Sequence, residues 1–131
     1  MSPRSRGVWW PPRQAPRRRA LLFGQLAERC CAGLLRLKGY RILARDFRVP
    51  VGEIDIIARK GGLLAFIEVK ARSTACGDVL TTRQQKRIIR AAEAFMMTRP
   101  DLADHDLRFD LMLIGGWRRP QHLPGAWRPD R

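Results

Sequence analysis

Apolar positions along this chain change period several times, and each change marks a new element. From about Arg18 to Lys38, residues Leu22, Leu26, Cys30, Leu34 and Leu35 recur at three- and four-residue steps, which predicts one amphipathic helix stopped by Gly39. Three runs of strand-forming residues follow, about Arg41 to Arg48, Glu53 to Arg59 and Leu63 to Lys70, divided by Pro50-Val51-Gly52 and by Gly61-Gly62. Links this short predict an antiparallel meander. After a looser stretch containing Ser73, Gly77 and Asp78, residues Ile88, Ala91, Ala92, Phe95 and Met96 share one face of a second helix, Thr81 to about Thr98, closed by Arg99-Pro100. A fourth strand from about Leu107 to Ile114 is then joined to the third through that helix as a right-handed crossover. The order helix, three strands, helix, strand predicts an α/β fold with a mixed central sheet flanked by helices.

Length bounds this pattern to one domain of 20–114 with two extensions, since 131 residues support a single core. Residues 1–19 carry six arginines, four prolines and no acid, which predicts a disordered basic arm. Trp9 and Trp10 within it could stack on bases or drape over the domain. Residues 115–131, with Pro120, Pro124, Pro129, Trp117 and Trp127, show no periodicity and predict an irregular tail. No uncharged apolar run approaches the ~18 residues of a bilayer span, and no signal-peptide core follows the basic N-terminus, so a cytoplasmic protein is expected. Cys30, Cys31 and Cys76 make no zinc pattern with His105 and His122, and Cys30 and Cys31 fit as small apolar residues of the first helix.

Charge and the acids change the picture most. The chain has 26 Lys and Arg against 12 Asp and Glu, a net charge of +14, which favours a polyanionic partner, nucleic acid before an anionic membrane surface. Within this excess, Glu53, Asp55, Glu68 and Lys70 stand in two strands otherwise rich in apolar residues, where charged side chains call for a partner. If Gly61-Gly62 is a two-residue loop, Lys60 pairs with Leu63, and the same register sets Asp55 opposite Glu68 and Glu53 opposite Lys70. Like charges whose Cβ atoms stand ~5 Å apart destabilise a sheet unless neutralised, and Mg²⁺ or Mn²⁺ would neutralise Asp55 and Glu68. Lys70 would then orient a water and offset developing negative charge. The alternative is a solvated face, with Glu53 and Lys70 as an ordinary cross-strand ion pair.

Asp55, then twelve residues, then Glu68-Val69-Lys70 resembles the PD-(D/E)xK nuclease signature. The wider string GYRILARDFRVPVGEIDIIARKGGLLAFIEVKAR resembles the YraN family, bacterial proteins similar in core to archaeal Holliday junction resolvases, and the likeness runs from about Leu22 to the ending HLPGAWRPD. It implies a restriction-endonuclease-like core, with Asp55 and Glu68 as metal ligands, the Val69 carbonyl as a third, and Lys70 as the catalytic lysine. Glu28 matches a first-helix glutamate near the metal, and Gln84 a glutamine that opens the second helix close to the scissile phosphate. A solvated acid and a helix cap, respectively, are the alternatives for these two. Glu53 is left without a settled role.

Arg41, Arg45, Arg48, Arg72, Arg83, Lys86, Arg87 and Arg90 surround these positions in sequence and are candidates for phosphate contacts, which are salt-sensitive and largely sequence-blind. The expectation is a Mg²⁺- or Mn²⁺-dependent endonuclease acting on structured nucleic acid, DNA before RNA, with a homodimer suited to cutting two strands. A non-catalytic nucleic-acid-binding protein that keeps the fold is the alternative.

Overall fold

The computed structural model describes residues 11–71, 80–115 and 119–129. Its elements are α1 (Pro11–Leu37), β1 (Arg41–Val49), β2 (Gly52–Lys60), β3 (Leu63–Ala71), α2 (Thr82–Thr98), a 3-10 turn (Pro100–Leu102), β4 (Asp106–Ile114) and β5 (Gln121–Trp127). The five strands form one sheet in the order β1-β2-β3-β4-β5. Only the β3–β4 pair is parallel, as the connection through α2 requires, and the other three pairs are antiparallel. A mixed sheet with two helices is therefore the architecture, an α/β fold consistent with a restriction-endonuclease-like core.

Local sequence explains the helix ends. α1 stops in a Schellman motif: the Tyr40 N–H donates to Leu35 O, the Gly39 N–H donates to Arg36 O, and Gly39 takes a φ of 95° that side chains disfavour. Tyr40 and Leu35 meet in the core beneath it. α2 starts in a capping box, with the Gln84 N–H donating to Thr81 Oγ1 at 3.1 Å and the Thr81 N–H donating to Gln84 Oε1 at 2.9 Å.

Each helix covers one face of the sheet. Ile88, Ala91, Ala92 and Phe95 of α2 pack with Ile54, Ile57, Leu64, Phe66, Phe109 and Leu111, whereas Ala27, Cys31 and Leu35 of α1 pack with Ile56, Ala58, Ala65, Ile67, Met112 and Ile114. Residues two apart on a regular strand share a face, yet Ile54 and Ile56 belong to opposite cores. The alternation of β2 slips at the residue between them, Asp55. Its neighbour strand is irregular at the same level, where Asp46 adopts a φ of 53°. The Arg45–Ile56 and Phe47–Ile54 pairs bracket these two acids and set them opposite one another.

Two expectations are corrected. The first helix begins at Pro11, not Arg18, so residues 11–19 of the predicted arm are helical; prolines at 11 and 12 suit a first turn, where the missing N–H would have had no partner. Residues 1–10, with Trp9 and Trp10, lie outside the described residues. The tail is also not irregular throughout, because Gln121–Trp127 pairs with β4. Pro124 sits in this strand without penalty because β5 is at the sheet edge, where one row of N–H groups has no ladder partner.

Candidate active site

The Gly61-Gly62 loop pairs Lys60 with Leu63, and the ladder continues to Ile56–Ile67, as the two-residue-loop arithmetic predicts. One step further, Asp55 and Glu68 come together. Asp55 Oδ2 accepts the Val69 N–H at 2.7 Å, and the two side chains hydrogen-bond to each other. Burial, then the Asp55 charge and the bond to Asp55, push Glu68 up to about 8, against a smaller opposing pull from Lys70. Burial also raises Asp55, although the bonds from Val69 and Glu68 oppose it.

Glu28 of α1 stands near enough to Asp55 to feel its charge. Burial and the charges of Asp55 and Asp46 raise it to about 7, with Arg45 and Arg48 pulling the other way. It lines a cleft of about 440 Å³ with Gln25 and Arg29 of its own helix and Arg45 and Asp46 of β1. Three carboxylates from three elements thus share a region in which none has enough positive charge to ionise at its ordinary pH. Burial and mutual repulsion make such acids hold their protons more tightly than a solvated carboxyl does.

The remaining predicted residues fall into distinct places. Lys70 is half-buried on β3, close enough to lower the Glu68 value. Glu53 is ion-paired with Arg87 of α2 at 2.7 Å, not with Lys70. Its raised exposure and its bond to the guanidinium set it apart from the other acids, for it is held below the usual glutamate range. Gln84 has its side-chain oxygen committed to the capping box, the alternative that the sequence left open. Val69 meets Asp55 through its N–H.

Among the basic candidates, Arg45, Arg48 and Arg87 lie beside the acids, and Arg83, Lys86 and Arg90 are exposed on α2. Arg41 does not join them, since it pairs with Arg59 at the other end of β1, roughly 20 Å away by strand rise. Arg72 lies outside the described residues.

Sequence reasoning missed Asp46. Its signal was present, because Val49 pairs with Gly52 around a two-residue Pro50-Val51 loop, and the same arithmetic used for the next hairpin sets residue 46 opposite residue 55. It also missed Asp110, a fully buried acid on β4. Asp110 accepts from Arg108 Nε and Nη2, His122 Nε2 and the Gly125 N–H, each at 2.8 Å. Burial would raise this carboxyl, but those four bonds outweigh it and hold Asp110 at about 2. Lys38 Nζ donates to His122 Nδ1, which places the ring proton on Nε2, facing Asp110. Arg108 Nη2 also donates to Tyr40 Oη at 2.6 Å, tying the start of β1 to the same knot.

The model of Uncharacterised protein family UPF0102 matches residues 27–114, the span from the Glu28 turn of α1 to the end of β4. A UPF0102 protein of Rhodopseudomonas palustris (strain BisB5) is 52% identical over 120 residues, covering 89% of this chain and 90% of that protein. A UPF0102 protein of Paramagnetospirillum magneticum is 47% identical over 123 residues, covering 89% and 92%. One from Parvibaculum lavamentivorans is 49% identical over 112 residues, covering 84% of each.

Proposed function

We infer that this chain, which belongs to the UPF0102 or YraN family, is a divalent-metal-dependent nuclease that hydrolyses phosphodiester bonds in structured nucleic acid, DNA before RNA. The observation that carries this reading is the hydrogen-bonded Asp55–Glu68 pair with Glu28 beside it, carboxylates raised to about 8 and about 7 at Glu68 and Glu28 in a protein of net charge +14. A solvated surface would leave such acids ionised.

The donor chemistry fits Mg²⁺ or Mn²⁺. Asp55 and Glu68 are hydrogen-bonded to each other and both are raised by burial, and a hard divalent ion, which prefers carboxylate oxygens and keeps several waters, suits the same two acids. The ion would polarise a phosphoryl oxygen and lower the pKa of a bound water. Lys70, two residues after Glu68 on the same strand, would orient that water and offset charge building on the phosphate. Glu28 would take up a water or share the ion through its solvent-facing cleft. Arg45, Arg48 and Arg87 supply positive charge for the flanking phosphates.

One observation favours a second reading. Among the described residues no three His, Cys, Asp or Glu side chains form a group that could hold a metal ion by themselves. A nucleic-acid-binding protein that keeps the fold without cleaving would need no such group. Incubation of the full chain with labelled duplex, flap, single-stranded and four-way-junction DNA and Mn²⁺, beside Glu68→Ala and Lys70→Ala, decides between the two. Cleavage by wild type that both variants lose is the expected result. Equal cleavage by all three would mean a contaminant and sink the nuclease reading, and salt-sensitive binding without cleavage would establish the second.

A further inference from the structure

Two acids beside the Asp55–Glu68 pair each hold an arginine. Asp46 Oδ1 accepts from Arg48 Nε at 2.8 Å, and Glu53 Oε1 accepts from Arg87 Nη2 at 2.7 Å. The two pairs are neighbours, because Arg48 and Glu53 are partners in the β1–β2 ladder. The second pair rests on a rigid contact: Gly52 approaches α2 so closely that a Cβ there would stand 1.9 Å from the Arg87 carbonyl oxygen. Backbone therefore meets backbone at the residue whose side chain reaches Glu53.

Stability is a poor explanation for either pair. The side chains are exposed, 68% and 52% for Arg48 and Asp46, 40% and 45% for Arg87 and Glu53, and exposed pairs contribute little. Negative charge on a face that binds a polyanion also works against binding unless it organises something. Each bond occupies one of the five N–H donors of its guanidinium and leaves the others, in fixed orientation, for a further anion.

We propose that Asp46 and Glu53 are positioning residues that hold Arg48 and Arg87 as a two-arginine clamp for consecutive phosphates of a nucleic-acid strand lying beside the acid pair. Asp46 suits its place because aspartate tolerates the φ of 53° that turns it there. Glu53 thereby receives a role that neither metal binding nor catalysis gives it. The inference rests on the nucleic-acid reading above but needs neither a metal nor cleavage.

Binding measured without divalent ions tests it. Fluorescence anisotropy of a labelled DNA duplex, titrated with the full chain across a salt series in chelator, gives affinity and salt slope for wild type, Arg87→Gln, Glu53→Ala and Asp46→Gly, the last chosen because glycine accepts the same backbone. Arg87→Gln is expected to lower the slope by about 0.9, one phosphate contact. Glu53→Ala and Asp46→Gly are expected to weaken binding by a factor of about three to ten, the scale of one ordinary hydrogen bond lost from an exposed site. Net charge alone predicts the opposite sign, since each variant removes a negative charge. Adding Glu53→Ala to Arg87→Gln is expected to cost nothing further. Variants of Glu53 and Asp46 that bind as tightly as wild type, or more tightly, overturn the clamp while leaving the nucleic-acid reading in place. A wild-type chain without salt-sensitive DNA binding overturns both.

Discussion

Glu68 and Asp110 occupy adjacent rows of two parallel neighbouring strands, where Glu68 pairs with Leu111 and Ile67 with Asp110, yet their surroundings are opposite. Asp110 is wholly buried and is met by a guanidinium, an imidazole and a backbone N–H, so burial is overcome and the carboxyl is held at about 2. Glu68 is less buried, is met by another acid, and is pushed up to about 8. Full pairing of an acid fastens a fold, here by joining β4, β5 and the start of β1. Incomplete pairing leaves an acid hard to ionise, at a cost in stability.

The largest expected effect falls on the paired acid. Asp110→Ala leaves the half-buried Arg108 without its counter-charge and the Gly125 N–H without its acceptor, and should lower unfolding stability by about 3 kcal/mol in chemical denaturation, with β5 released first in hydrogen exchange. Stability within ~1 kcal/mol of wild type would mean that the knot is not what holds β5, and the contrast with Glu68 would collapse.

Next in size is the effect on the proposed cleavage. Lys70→Ala should slow Mn²⁺-dependent cleavage by about 10²-fold or more, the scale seen when a single group that stabilises developing charge is removed, while leaving the melting temperature nearly unchanged. An active Lys70→Ala protein would move the catalytic role elsewhere.

Opposite pH responses sharpen the comparison further. Glu68 has a folded value near 8 against an ordinary 4.5, so its contribution to stability is complete below about 4.5 and is lost as pH rises toward 8. Asp110 has a folded value near 2 against an ordinary 3.8, so its contribution is present above about 3.8 and is lost as pH falls toward 2. Thermal melts in chelator should therefore decline between pH 5 and 8, and Glu68→Gln should flatten that decline. Mn²⁺ at pH 8 should raise the melting temperature of wild type and not of Glu68→Gln, with proton release on binding measurable by calorimetry in buffers of different ionisation enthalpy. A flat wild-type profile would show that Glu68 ionises normally.

Much of this contrast was legible in the chain, on one side only. The Asp55–Glu68 meeting follows from a two-residue glycine loop and the ladder register it sets up to Ile56–Ile67, both local properties. α2 could be placed to within a residue because Thr81 and Gln84 form its cap with each other. Asp110 gave no comparable signal. Its partners at positions 108, 122 and 125, and the residues at 38 and 40 that meet those partners in turn, come from two strands and the α1–β1 turn, and nothing in their spacing announces that they converge. The fifth strand was illegible for a related reason, since Gln121–Trp127 contains Pro124 and Gly125, which predict a turn. Contacts from Asp110 to His122 and to the Gly125 N–H, together with Trp127 packed 4.6 Å from Phe109, hold that segment extended against its own propensity.

By itself, then, the sequence determined what depends on neighbours: the helix caps, the two tight hairpins, the registers they impose, and hence which acids face each other across β2 and β3. Only the tertiary structure decided which charges are answered. It brought Arg87 rather than Lys70 to Glu53, gave Arg48 to Asp46, surrounded Asp110 with donors and left Glu68 with another acid. Register is fixed by a few bonds along the chain, whereas the balance of burial and charge at one carboxyl depends on every element that packs around it.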